Sequence, residues 1–93
     1  MELRFFVDPE TGLPHIAGHD VTESEVTEVL SAPLEDGGGA EGSRVAIGQT
    51  EAGRFLKVIY VPDSLPESAF VITAFELGPK ALKALRRRLR RRR

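Results

Sequence analysis

Residues 44–77 constrain most tightly what this chain can fold into. "RVAIGQ", "RFLKVIYV" and "SAFVITAFEL" are dense in β-branched and aromatic residues, and only "TEAG" and "PDSLPE" separate them. Runs of that kind suit strands, and two short connections in succession predict a three-stranded antiparallel meander. In the first run Val45 and Ile47 alternate onto one face. The second is apolar at nearly every position except Arg54 and Lys57. With the middle and last strands apolar on both sides, the expectation is a sheet with helices packed over one side.

The sharpest helix signal precedes the meander, in "VTESEVTEVLSAP", residues 21–33. Thr22 is a good N-cap and Glu25, three places on, completes a capping box. Val21 and Val26 stand at the hydrophobic-staple positions, while Val26, Val29 and Leu30 share one helical face. The glutamates of the first turn suit the helix dipole, and Pro33 stops the helix after about ten residues.

Upstream, "LRFFV" reads as a strand, "DPETG" as a turn and "LPHI" as a short return strand, which predicts an N-terminal β-hairpin. "LEDGGGAEGS", residues 34–43, reads as an irregular surface connection. Its three glycines are flanked by acids and lack the Lys-Ser/Thr of a phosphate-cradling loop, so a flexible surface connection is expected instead.

The chain closes on "GPKALKALRRRLRRRR". Pro79 suits the first helical position, and Leu82, Leu85 and Leu89 recur at i, i+3 and i+7. The spacing predicts an amphipathic helix docked by leucines over about its first ten residues, with the last arginines frayed. Charge is sharply divided. Residues 1–79 hold four basic and fourteen acidic side chains, a net of −10, whereas residues 80–93 hold nine basic residues and no acid. That division admits three partners for the tail: a nucleic acid, an acidic protein, or the acidic body itself. Within one molecule the acidic helix 22–31 is the expected partner; between molecules the same attraction would give a homo-oligomer.

With no cysteine, disulfides and thiolate metal sites are excluded. No apolar run approaches the roughly 18 residues of a membrane span, and "MELRFFVDPE" has no signal-peptide character, so a cytoplasmic, membrane-free protein is expected. His15 and His19 are spaced like a metal pair but bring no carboxylate in a ligand frame, so neither metal nor cofactor is expected. The whole reads as one α+β domain over residues 1–93, in the order β-β-α-β-β-β-α, with a small antiparallel sheet packed by helices.

Three stretches taken together carry a resemblance: "GHDVTESEVTEVLSAP", "IGQTEAGRFLKVIYV" and "AFVITAFEL". They resemble BrnT-type toxins and their uncharacterised relatives in the RelE/ParE superfamily. The family pattern is a histidine-led entry into a Glu-rich helix, a proline stop, a "GxTxxGR" turn and an "ITA" strand. Here His19-Asp20-Val21-Thr22 matches the entry, with Asp20 where glycine is commoner. Ala32-Pro33 matches the stop, and Gly48 to Arg54 matches the turn, with Gln49 in place of the usual Arg or Ser. The resemblance spans about residues 15–77. It implies a RelE/BrnT-like fold, a ribonuclease activity and an antitoxin partner of the type II kind.

Metal-independent RNA cleavage needs a base for the 2′-hydroxyl, a cation for the phosphorane and an acid for the leaving oxygen. His15 and His19 are the groups that titrate near neutral pH. His19, Arg44 and Arg54 are the expected catalytic set, with Arg54 on phosphate. Lys57, Tyr60, Arg86 and Arg87 are the expected substrate contacts. The alternative is a non-enzymatic module that binds an acidic protein or a nucleic acid through its sheet and basic helix.

Overall fold

The computed structural model describes residues 1–65 and 67–92. Five strands and two helices follow one another as β1 (Glu2–Phe5), α1 (Glu23–Ser31), β2 (Glu35–Gly38), β3 (Arg44–Gln49), β4 (Phe55–Pro62), β5 (Ser68–Glu76) and α2 (Pro79–Arg91). They build one sheet in the order β1-β5-β4-β3-β2. The α+β class and the three-stranded meander stand as expected, with β3, β4 and β5 pairing antiparallel. The sheet as a whole is mixed, because β1 pairs parallel to β5.

Four local expectations are corrected. The N-terminal hairpin is reduced to a single bridge between Val7 and Pro14. "LPHI" does not form a return strand, and His15–His19 winds instead into a 3-10 turn that ends on Asp20 in the left-handed region. Pro14 cannot donate to a ladder, and Ile16 is drawn into the core at 2% exposure. The glycine stretch is not wholly irregular: Glu35–Gly38 adds an edge strand to β3. The terminal helix is longer than the expected run of about ten residues, extending from Pro79 through Arg91; Arg93 lies outside the described residues.

The fourth correction concerns layers. Successive strand residues point to opposite faces, so Ala46 and Ile47 on β3 belong to different sides. Ala46, Leu56, Val58 and Val71 pack with Val26 and Val29 of α1 and with Ile16. Ile47 and Phe55 pack on the other side with Leu77, Leu82, Leu85 and Leu89 at α2. The helices therefore cover opposite faces. Strands apolar on both sides require that, because each uncovered side would leave its apolar area in water. Close approach of α1 depends on Gly48, where a Cβ would sit 3.0 Å from Val29 Cγ1. Among the described residues, no helix is long and apolar enough to cross a membrane.

Candidate nucleic-acid interface

The α1 face carries its cations in closed ion pairs. At one end Thr22 caps α1 with the full capping box, its side chain accepting from the Glu25 N–H while Glu25 accepts from the Thr22 N–H. The "GQTEAGR" turn then delivers Arg54 to that cap. Gly53 takes φ +98°, and the Thr50 hydroxyl accepts from the Arg54 N–H at 3.0 Å. Arg54 donates to both Glu25 oxygens, to Glu76 and to the Asp20 carbonyl. The Thr22 N–H and the Arg54 guanidinium together hold the Glu25 carboxyl below its ordinary range, against the opposing effect of burial. Glu25 in turn raises Arg54, which is fixed as a cation.

At the far end of the same face, Arg44 stands opposite Tyr60 in the β3–β4 register. Arg44 Nε donates to Asp36 at 3.0 Å, and the Tyr60 hydroxyl donates to the other Asp36 oxygen at 2.7 Å. Desolvation, then that hydrogen bond, pushes the Tyr60 phenol up, so it stays protonated. Arg44 and Arg54 thus sit at opposite ends of the β3–β4 hairpin, each beside its own carboxylate. His19 joins neither side-chain cluster.

The α2 face is different. Three cations lie over three aromatic rings there: Arg4 over Phe70 at 5.5 Å, Lys57 over Phe75 at 6.0 Å and Arg86 over Phe55 at 5.7 Å. Register puts all three pairs on one side. Lys57 is paired with Phe75 across β4–β5, Arg4 with Phe70 across β1–β5, and Phe55 packs beneath α2. A cation over a ring face is favoured by the ring's quadrupole. Arg4 is also held by Asp63 at 2.6 Å, whereas Lys57 and Arg86 have no carboxylate partner among the described residues.

The two histidines border that same face. β1 pairs only with the first residues of β5, up to Val71. The 3-10 turn occupies the edge beyond, where His19 lies 5.9 Å from Phe75 and 5.2 Å from His15 between ring centroids. His15 lies 6.1 Å from Phe6. His19, Lys57 and Arg86 are therefore brought to one face, while Arg44, Arg54 and Tyr60 belong to the other.

The basic helix runs alongside. Its intramolecular partner is Glu35 of β2 rather than the acidic helix 22–31: Arg88 grips Glu35 through two hydrogen bonds, and Arg92 lies 3.1 Å away. Arg88 is the chief cause that lowers the Glu35 carboxyl. Among the described residues, Arg87, Arg90 and Arg91 make no such pair and remain exposed. Arg4, Phe55, Phe70 and Phe75 were not among the expected site residues. The signal for Phe55 is its i, i+2 spacing from Lys57; Phe70 and Phe75 straddle an irregularity in the β4–β5 ladder that breaks simple alternation.

Among the described residues no group of three or more metal-ligating side chains converges. Comparison with protein-family models, with curated proteins and with solved structures finds no match to this chain.

Proposed function

We propose that this protein binds single-stranded RNA on its α2 face and cleaves it, acting as a toxin-type ribonuclease with a protein antitoxin as its natural counterpart. The observation that carries the reading is the set of three cation–ring pairs on one sheet face. Unpaired bases stack on aromatic and guanidinium planes, and neighbouring cations meet the phosphates between them. Arg87, Arg90 and Arg91 extend the positive surface along α2, which adds phosphate contacts without sequence preference. His19 stands at the border of that surface against Phe75, in position to meet a ribose 2′-hydroxyl as base. Lys57, over the same ring, is the candidate to balance charge on the phosphorane.

A specific observation favours the second reading, a binding module that does not cut. Arg44 and Arg54, two of the three residues expected to catalyse, are engaged by carboxylates on the opposite face. One experiment separates the readings. Induced expression should arrest growth and accelerate RNA decay, and His19→Ala should abolish both while retaining RNA binding. Binding by the parent protein without arrest or decay favours the module; absence of binding overturns both.

A further inference from the structure

We infer that the open edge of β1 pairs with β1 of a second copy of this chain, antiparallel about a two-fold axis at Leu3, with Glu2–Arg4 ion pairs setting the register. The inference concerns the edge of the sheet and does not depend on the RNA reading.

β1 is an outer strand, bonded in the sheet only to β5. The Glu2 N–H donates to the Glu67 carbonyl and the Phe6 N–H to the Val71 carbonyl, so the even-numbered residues face β5. The N–H and C=O groups of Leu3 and Phe5 therefore point outward. Among the described residues, no backbone bond from outside the ladder reaches them. An unpaired strand edge is a template for another strand unless its side chains forbid the approach.

The side chains of β1 favour one register. Arg4 lies over Phe70 on the α2 face, and Glu2, two residues earlier and exposed, stands on that same face. With Leu3 opposite Leu3 of the second copy, Glu2 of each copy lies directly across from Arg4 of the other. Moving the axis to Arg4 sets Arg4 against Arg4, and opposed like charges destabilise a strand pair. In the favoured register the two Leu3 residues exchange both backbone hydrogen bonds, as outward-pointing residues opposite one another do. Arg4 commits Nη2 to Asp63 at 2.6 Å, yet its side chain is 65% exposed and its guanidinium keeps donors for a second carboxylate.

The other side of the strand is apolar. Leu3 and Phe5 are half-buried against the α1-side core, and Met1 is 54% exposed. Pairing brings Phe5 opposite Met1 of the second copy. The edge also borders a hollow of about 290 Å³ lined by Met1, Leu3, Leu30, Tyr60 and Leu65, the last 67% exposed. Covering this apolar margin favours association, and the charges select the strand and its direction. β2, the other outer strand, has no such register, because its side chains are two acids and two glycines. The two-fold axis at β1 stands perpendicular to the sheet, so two sets of five strands become one sheet with both α2 faces on the same side.

Sedimentation velocity of the full chain between about 1 μM and 1 mM spans moderate to weak dissociation constants. The parent should pass from monomer to dimer in that range. Glu2→Arg, which leaves the Arg4–Asp63 tie in place, and Arg4→Glu should each weaken the dimer about tenfold or more, since two attractive cross-strand pairs become repulsive. An equimolar mixture of the two variants should dimerise like the parent, because each then supplies the charges that the other lacks opposite it. Circular dichroism checks the fold of each, and Glu2→Arg alone decides the matter where Arg4→Glu is unfolded. A parent that stays monomeric throughout overturns the inference, as does a mixture of two folded variants that stays monomeric. A Glu2→Arg dimer as tight as the parent's overturns it too, and places association on another surface, such as the basic tail against the acidic body.

Discussion

Arg54 Nη1 lies 2.9 and 2.8 Å from the two carboxylate oxygens of Glu25, 29 residues away in the chain. The pair joins the first turn of α1 to the turn that enters β4, and Glu76 at the end of β5 closes it from a third element. Arginine's planar fork suits this, since several acceptors from different elements are met at once. A sequence motif that resembles a phosphate-contacting arginine is here the centre of a structural clamp.

Replacing Arg54 by Ala therefore lowers stability. It leaves the partly buried Glu25 without its cation and removes the tie to Glu76, while the Thr22 cap survives. A loss of about 1–2 kcal/mol is expected, between an exposed ion pair and a hydrogen bond to a charged group. Urea denaturation with an unchanged m-value measures it. A variant as stable as the parent would show the clamp to be energetically idle.

Acid should expose the same ties. The carboxyls of Glu25 and Glu35 are held below their ordinary value of 4.5, the first chiefly by the Thr22 N–H and the second chiefly by Arg88. A depressed folded-state pKa gives stability that is complete above the unfolded value and is lost as pH falls through the folded one. The melting temperature should thus be nearly flat from pH 7 to pH 5 in the contribution of these groups and fall below about 4.5. Glu35→Gln should make that acid limb shallower, and an unchanged slope would remove Glu35 from the explanation.

Much of this fold is legible in the residues, and the places where it is not have physical causes. Thr22, Glu25, Val21 and Val26 specify the start of α1 because cap and staple are local and nearly complete within six positions. β4 and β5 are legible because their apolar runs leave few alternatives. The parallel partnership of β1 with β5 is not, since a four-residue strand carries no mark of which edge it will join. Glu35–Gly38 escapes notice because its strand is held by the β3 ladder and by Arg44 and Arg88, not by β-forming side chains. The site divides the same way. Histidine near a helix entry is visible in sequence, but which cations share its face depends on register, and register is settled by tertiary pairing.

Docking of α2 is thin and should be the weakest part of the molecule. Leu85 is the one residue of that helix buried completely, and Glu35 anchors only its last turns through Arg88 and Arg92. Leu85→Ala should cost about 2–3 kcal/mol, toward the lower end of core truncations because one side of the cluster faces water. Amide hydrogen exchange should show residues 79–91 losing protection well before β4 and β5, as a local opening. Simultaneous loss across sheet and helix would mean that α2 is integral to a single cooperative unit.

Salt dependence decides which face meets RNA. Neutralising Z phosphates of a single strand gives a slope of log K on log salt of about −0.7Z, so each cation removed from the contact reduces its magnitude by about 0.7. Lys57→Ala, Arg86→Ala and Arg87→Ala should each weaken binding of a single-stranded oligoribonucleotide and flatten the slope by about that amount. Arg44→Ala removes a cation of equal charge, but Arg44 lies on the α1 face and is paired with Asp36. It should leave the slope unchanged. Fluorescence anisotropy titrations between about 0.05 and 0.2 M salt cover the range in which these slopes separate cleanly. Equal flattening by Arg44→Ala and Lys57→Ala would mean a diffuse attraction to the whole molecule, because only a contact confined to the α2 face distinguishes two lysine- or arginine-sized charges by the side of the sheet on which they stand.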